Sequence, residues 1–337
     1  MSEESQPRMS TAAVSETTWH GQSALKLENA TLQVVVVPEM GAKITSLLDK
    51  RNQVEWLAGP GERPFKPAPY GAVFTDQDMS GWDEMFPTIN ACQYPTPPSE
   101  QAILLPDHGE VWAIPWQRIP TDELALDFAV EGRALSYALS RKIEFTEESV
   151  LRFSYQAINQ SKAPLSALWA AHPQFLSGSA ARVILPPHIS KVCNVLPESF
   201  GWASLEQNMD WPEVTRLDGQ TVELDAVGPS DLNQARKYYI PPETKASWIA
   251  IVRQPSQNWI SLSWDVNEVP YLGVWVDEGF ISPESVVAPE PATGFYDSLD
   301  LAVEKGRHMV IPPGKSVSWS LLVRFGDRKT AFFSLLI

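Results

Sequence analysis

Glu290 stands between two prolines in the stretch VVAPEPATGFYDSL, residues Val286–Leu299. Proline fixes its own φ and confines the residue before it to extended geometry, so Pro289 and Pro291 leave Glu290 little backbone freedom. A carboxylate held that way is suited to act as a base at one fixed point. It is also what a solvated loop glutamate looks like, and two missing N–H donors argue against a central strand position. Three other stretches carry groups able to move protons. SGWDEMFPTI brings Trp82, Asp83 and Glu84; LPDHGEVW brings His108 and Glu110; LWAAHPQF brings His172 between small residues and a proline. Each histidine alone reads as a hydrogen-bonded core or surface residue. Together, two imidazoles and a clamped carboxylate supply an acid, a second donor and a base.

Other chemistries find less support. No spacing matches HExxH or paired CxxC zinc motifs, and a cupin-like set of His108, Glu110 and His172 lacks the HxH pair. Phosphate-binding glycine loops, nucleotide fingerprints and GxSxG elbows are missing from the sequence. A hydrolytic pair of carboxylates stays open, because acidic residues are plentiful.

The elements that must position these residues are strands. Leu151, Phe153, Tyr155 and Ala157 alternate with polar neighbours. So do Ile260, Leu262, Trp264 and Val266, and Val317, Trp319, Leu321, Val323 and Phe325. Period two marks half-buried strands, and clusters such as TEES, NQSKAP and RQPSQN supply the turns between them. With no segment at helical spacing, the pattern predicts an all-β protein, a large antiparallel β-sandwich. No repeat or linker divides it, so we expect one domain over residues 19–337 behind a flexible polar tail, residues 1–18. GPGERPFKPAPYG and QYPTPPSEQ read as long loops over the sandwich. In RALSYALSRKIEF, Arg141 shares its parity with Leu139 and Ile143. It therefore needs a partner or a wet cleft, unless a bulge turns it outward.

Composition bounds the partners. The 337 residues include 13 Trp, suited to sugar stacking or to a wide core, and only 5 His and 2 Cys. A net charge of −15 argues against nucleic acid and, more weakly, against anionic membranes. No apolar run approaches membrane-spanning length, and the N-terminus has no apolar core of a signal peptide. Cys92 and Cys193 read as reduced thiols, which leads us to expect a cytoplasmic protein.

Several pieces then fall in a telling order: GAKITSLLDK, QVEWL, SGWDEMFPT, DHGEVW, LWAAHPQF, YLGVWVDEGF, PEPATGFYDSL and PPGKSVSWSLLVRFG. This set, from about Ala30 onward, resembles the galactose mutarotase-like superfamily and, within it, the aldose 1-epimerase-related proteins. The resemblance implies a supersandwich that binds a monosaccharide or sugar derivative on a concave sheet. It implies interconversion of sugar anomers by acid/base ring opening and closure, with neither metal nor organic cofactor. By its residues, His172 is the acid, His108 assists at the ring oxygen and Glu290 is the base. Trp275 and Asp277 fall at substrate contacts, with Trp82, Asp83 and Arg141 as further candidates for that role. Two alternatives accompany it. A hexose-6-phosphate 1-epimerase would need a basic pocket, for which Arg141, Lys142, Arg236 and Lys237 are candidates. A non-catalytic carbohydrate-binding protein would keep the aromatic cleft without turnover. The sequence carries no signal for oligomeric state.

Overall fold

The computed structural model describes residues 12–95, 102–121, 124–178 and 180–328. Two large antiparallel sheets dominate, as the alternation requires. The thirteen-stranded sheet runs in space through Ala13–Trp19, Gln22–Glu28, Leu32–Val37, Lys43–Asp49, Trp82–Met85, Ala170–Pro173, Ser285–Ala292, Tyr271–Glu278, Gln234–Tyr239, Lys191–Asn194 and Asn208–Asp210. Phe175–Leu176 and Val54–Glu55 join it off this path. The nine-stranded sheet is built around Trp259–Trp264, Ser316–Gly326, Val150–Asn159 and Tyr137–Glu147. Their same-parity residues, among them Phe153, Tyr155, Trp319 and Leu321, are buried in one continuous core between the sheets. Among the described residues Leu299–Glu304 is the one α-helix.

Three expectations need correction or a boundary. The chain enters the sheet at Ala13, inside the expected 1–18 tail, because Ala13–Trp19 pairs with Gln22–Glu28 across a tight turn at His20 and Gly21. Both turn residues have positive φ, which matches the twist of a two-residue hairpin. Residues 1–11 of that tail, and 96–101 of the QYPTPPSEQ loop, lie outside the described residues. Glu290 sits within Ser285–Ala292, a central strand, where its flanking prolines argued against one. The neighbouring chain explains why the prolines are tolerated. The Thr293 N–H donates to the Trp169 carbonyl, so by alternation positions 289 and 291 face the same side. On that side the partner strand is broken: pairing is to Ala170 at one end and to Phe175 and Leu176 at the other. The missing donors therefore face a gap, and Glu290 keeps its full pairing to Gly273 on the other side.

Arg141 does point into the core. Its Nη1 donates to Glu84 Oε1 at 2.9 Å and its Nη2 to the Ala42 carbonyl, with both side chains fully buried. Tyr155 and the Trp169 indole each donate to the same carboxylate, at 2.9 Å. Glu84 and Arg141 belong to different sheets, so this knot pins one layer to the other. Removing one partner of a buried pair strands the other charge. We expect Arg141→Met to lower unfolding stability by about 3–5 kcal/mol in urea denaturation, and Glu84→Gln added to it to restore part of that loss.

Candidate functional site

On the sheet face away from the core, side chains of alternate parity converge on Glu290. Glu290 faces Gly273 in register, and Lys237 and Tyr239 face Trp275 and Gly273 one strand further on. Gly273 thus leaves the middle strand bare between Glu290 and Tyr239. A Cβ there would lie 2.8 Å from the Tyr239 ring, so the site depends on a glycine at this position. Lys237 Nζ reaches Glu290 Oε2 at 3.0 Å and Asp297 Oδ1 at 2.8 Å. The contact with Glu290 is close without being aligned as a hydrogen bond. Tyr239 donates to Asp297 at 2.9 Å and fixes that carboxylate from below. Burial raises Glu290 above the usual carboxylate range, and Lys237 opposes it. Burial alone would lower Lys237, but Asp297 and Glu290 outweigh it and hold its ammonium above the ordinary lysine value.

His172 lies across from Glu290, with Nε2 at 4.0 Å from Glu290 Oε1 and 3.2 Å from the Gln174 amide nitrogen. Its Nδ1 is buried without a hydrogen-bond partner. Burial, followed by the fields of His108, Lys237 and Lys43, pushes His172 well below the ordinary histidine value. The imidazole is therefore neutral at rest.

His108 comes from a loop. It has φ 59° and precedes Gly109 at φ 71°, where any side chain would strike the Phe86 backbone. This reversal sends the His108 ring back over the cleft, stacked on Phe74 at 4.1 Å and edge-on to His172 at 5.0 Å. Asp107 holds its Nδ1 at 2.9 Å. Glu110 turns away, accepting from the Tyr70 hydroxyl at 2.7 Å and from the Ala134 N–H at 2.8 Å. The cupin-like set is therefore not assembled, and no group of three or more His, Cys, Asp or Glu side chains suited to a metal occurs among the described residues.

These groups line a cleft of about 310 Å³ with Phe74, Met79, Gln174, Trp275 and Ile281. The volume lies at the low end of small-molecule sites, roughly 300–1,000 Å³. Of the residues expected here from sequence, the structure brings together His108, His172, Glu290 and Trp275. Four others it places elsewhere. Arg141 is locked in the core knot. Trp82 points to the core and stacks on Phe153 at 4.9 Å. Asp277 is consumed by a turn, accepting from the backbone N–H groups of Phe280, Ile281 and Ser282 at 2.7–3.1 Å. Asp83 pairs with His172 across strands, yet it is buried beneath the cleft, 3.1 Å from Lys43 Nζ. Burial there, opposed by Lys43, pushes Asp83 up to about 6. Sequence reasoning did not single out Asp297, Gln174 or Phe74 for the site, and it weighed Lys237 only as a phosphate ligand. The signals were faint: Asp297 lies in the same conspicuous stretch as Glu290, and Lys237 shares its parity with Tyr239.

A two-layer antiparallel supersandwich with its cleft on an exposed sheet face is the galactose mutarotase-like fold. Solved structures agree. A galactose mutarotase-like protein from Lactobacillus casei ATCC 334 superposes with a TM-score of 0.64 at 16% identity, covering 90% of this chain and 100% of its own. A galactose mutarotase related enzyme from Lactobacillus acidophilus gives 0.66 at 13% identity, covering 90% and 97%. A protein from Synechocystis sp. PCC 6803 gives 0.69 at 15%, covering 91% and 96%. No protein-family model matches the sequence, and no curated protein matches it. Among the described residues no helix is long and apolar enough to cross a membrane.

The neutral state of His172 has a consequence for stability. Its folded value lies below its unfolded value of about 6.5, so between these two the unfolded chain binds a proton that the native state does not. The part of the stability linked to His172 is then complete above about 6.5 and falls as pH drops through that window, by up to about 1.4 kcal/mol per pH unit, while Asp83, raised to about 6, acts in the opposite sense. Urea denaturation across this range should show a shallower fall for His172→Gln than for wild type. Equal slopes would place the linked proton on another group.

Proposed function

We propose that the protein is an aldose 1-epimerase acting on free sugars. The observation that carries this reading is Glu290 Oε1 facing His172 Nε2 at 4.0 Å in a sugar-sized cleft. In a pyranose the anomeric hydroxyl and the ring oxygen share one carbon, so a base and an acid this close can engage both at once. Glu290 takes the anomeric proton while His172 gives one to the ring oxygen. The C1–O5 bond breaks, the new carbonyl turns about C1–C2, and ring closure on the other face returns both protons. His108, backed by Phe74, completes the donor set at the ring oxygen, and Trp275 offers an apolar face to the sugar.

The environment suits those roles. A ring oxygen is a very weak base, and a buried imidazolium is a strong acid. A carboxylate raised by burial is a stronger base than one in water. The working form, with Glu290 ionised and His172 protonated, is a minority form near neutral pH, since His172 is held low.

The charges favour an unphosphorylated substrate. Of the cations that could have formed a phosphate pocket, Arg141 pairs with Glu84, Lys142 with Glu144 and Arg236 with Glu278. Lys237 alone of these lines the cleft, and two carboxylates already engage it.

Exchange NMR on glucose and galactose should show anomer interconversion accelerated by the wild type. Glu290→Gln should slow it about 10²–10⁴-fold, the usual worth of one positioned proton transfer. Glucose 6-phosphate should respond less than glucose. Sugar line broadening without faster exchange would mark a binding protein instead, and unchanged exchange in Glu290→Gln would move the base elsewhere.

A further inference from the structure

We propose that Lys237 is the group that keeps Glu290 in its proton-accepting form, and that Asp297 limits how strongly it does so. This rests on the 1-epimerase reading of the same cleft. Charged and polar groups face Glu290 from several elements. From the Ala170–Pro173 side come His172 at 4.0 Å and, beside it, Gln174, neither of them charged at rest. His108, on its loop, adds the second imidazole above them. Asp83 and Lys43 lie beneath His172 as a pair, with Asp78 on the same ammonium at 2.7 Å. From the Gln234–Tyr239 side comes Lys237, at 3.0 Å from Glu290 and 2.8 Å from Asp297, while Tyr239 donates to Asp297. Lys237 is thus the direct cationic partner of Glu290, and Asp297 shares it.

Two buried carboxylates joined by one ammonium carry a net negative charge. Lys237 opposes the burial that raises Glu290, while the charge of Asp297 acts in the same sense as burial. Without Lys237 the two influences left, burial and Asp297, both favour the protonated form of Glu290. Glu290 would then be a protonated acid that cannot accept the anomeric proton. Neutralising Asp297 has the opposite effect, because Lys237 would then attend Glu290 alone. Gly273 leaves room for the Tyr239 ring, whose hydroxyl holds Asp297 beside Lys237.

A purely structural ion pair would alter stability and leave the protonation of Glu290 alone, so the test reads protonation. The limb of kcat/KM against pH that titrates with Glu290 should move upward in Lys237→Met by about one pH unit or more. In Asp297→Asn the limb should move down, and in Lys237→Arg it should stay near wild type. A second readout needs no turnover. The infrared carboxyl band assigned to Glu290, by subtraction of Glu290→Gln, should be ionised in wild type at neutral pH and protonated in Lys237→Met. If no sugar exchanges at all, the epimerase reading fails and the infrared band still decides the role of Lys237. If Lys237→Met does not fold, the downward shift in Asp297→Asn carries the test. A limb and a band unmoved in Lys237→Met, or a limb unmoved in Asp297→Asn, would overturn the proposal.

Discussion

A carboxylate removed from water must find a counter-charge or keep its proton, and this constraint shapes the molecule around Glu290. The glutamate is about 1% exposed in a central strand of the larger sheet. Water cannot stabilise its charge there. Lys237 can, and Lys237 is shared with Asp297, which accepts from the hydroxyl of Tyr239. The same rule is met elsewhere by other means. Glu84 is held by Arg141, Tyr155 and Trp169 between the sheets, and Glu278 by Arg236. Those pairs are closed by surrounding core. The pair at Glu290 differs in opening onto a cleft, where a ligand can take part in the exchange of protons.

The strands make this placement reproducible. Period-two alternation sends Glu290 and Lys237 to one face of the sheet, while Pro289, Pro291 and Val287 take the opposite parity on their strand. Neighbouring strands lie about 5 Å apart, so Glu290 and Lys237, with one strand between them, start about 10 Å apart, a span the long lysine side chain covers. His108 is the exception. It reaches the cleft from a loop and depends on consecutive left-handed residues for its direction, with Phe74 and Asp107 holding the ring.

Much of the fold was legible because alternation is a local property. Phe153, Tyr155, Trp319 and Leu321 carry it plainly, and all are buried where it puts them. The clamp on Glu290 was legible for the same reason, since proline acts on its neighbours. What the prolines could not reveal was the interrupted partner strand at Gln174, which lets a central strand dispense with two donors. The resemblance offered Arg141, Trp82 and Asp277 as substrate contacts; Asp277 closes a turn instead, and Arg141 and Trp82 face the core. Parity tells that a residue faces one side of its strand, but which side is core and which is cleft depends on the layer packed against it. Lys237 joins Glu290 through pairing between segments far apart in the chain, and Asp297, on the same stretch as Glu290, meets it only through that shared lysine; no local pattern records either contact.

The most direct test of this account is a crystal structure of Glu290→Gln with a free aldose bound. The sugar should lie in the cleft with its anomeric hydroxyl at residue 290 and its ring oxygen toward His172. A sugar bound outside this cleft, or bound within it with the anomeric centre turned away from both residues, would contradict the account.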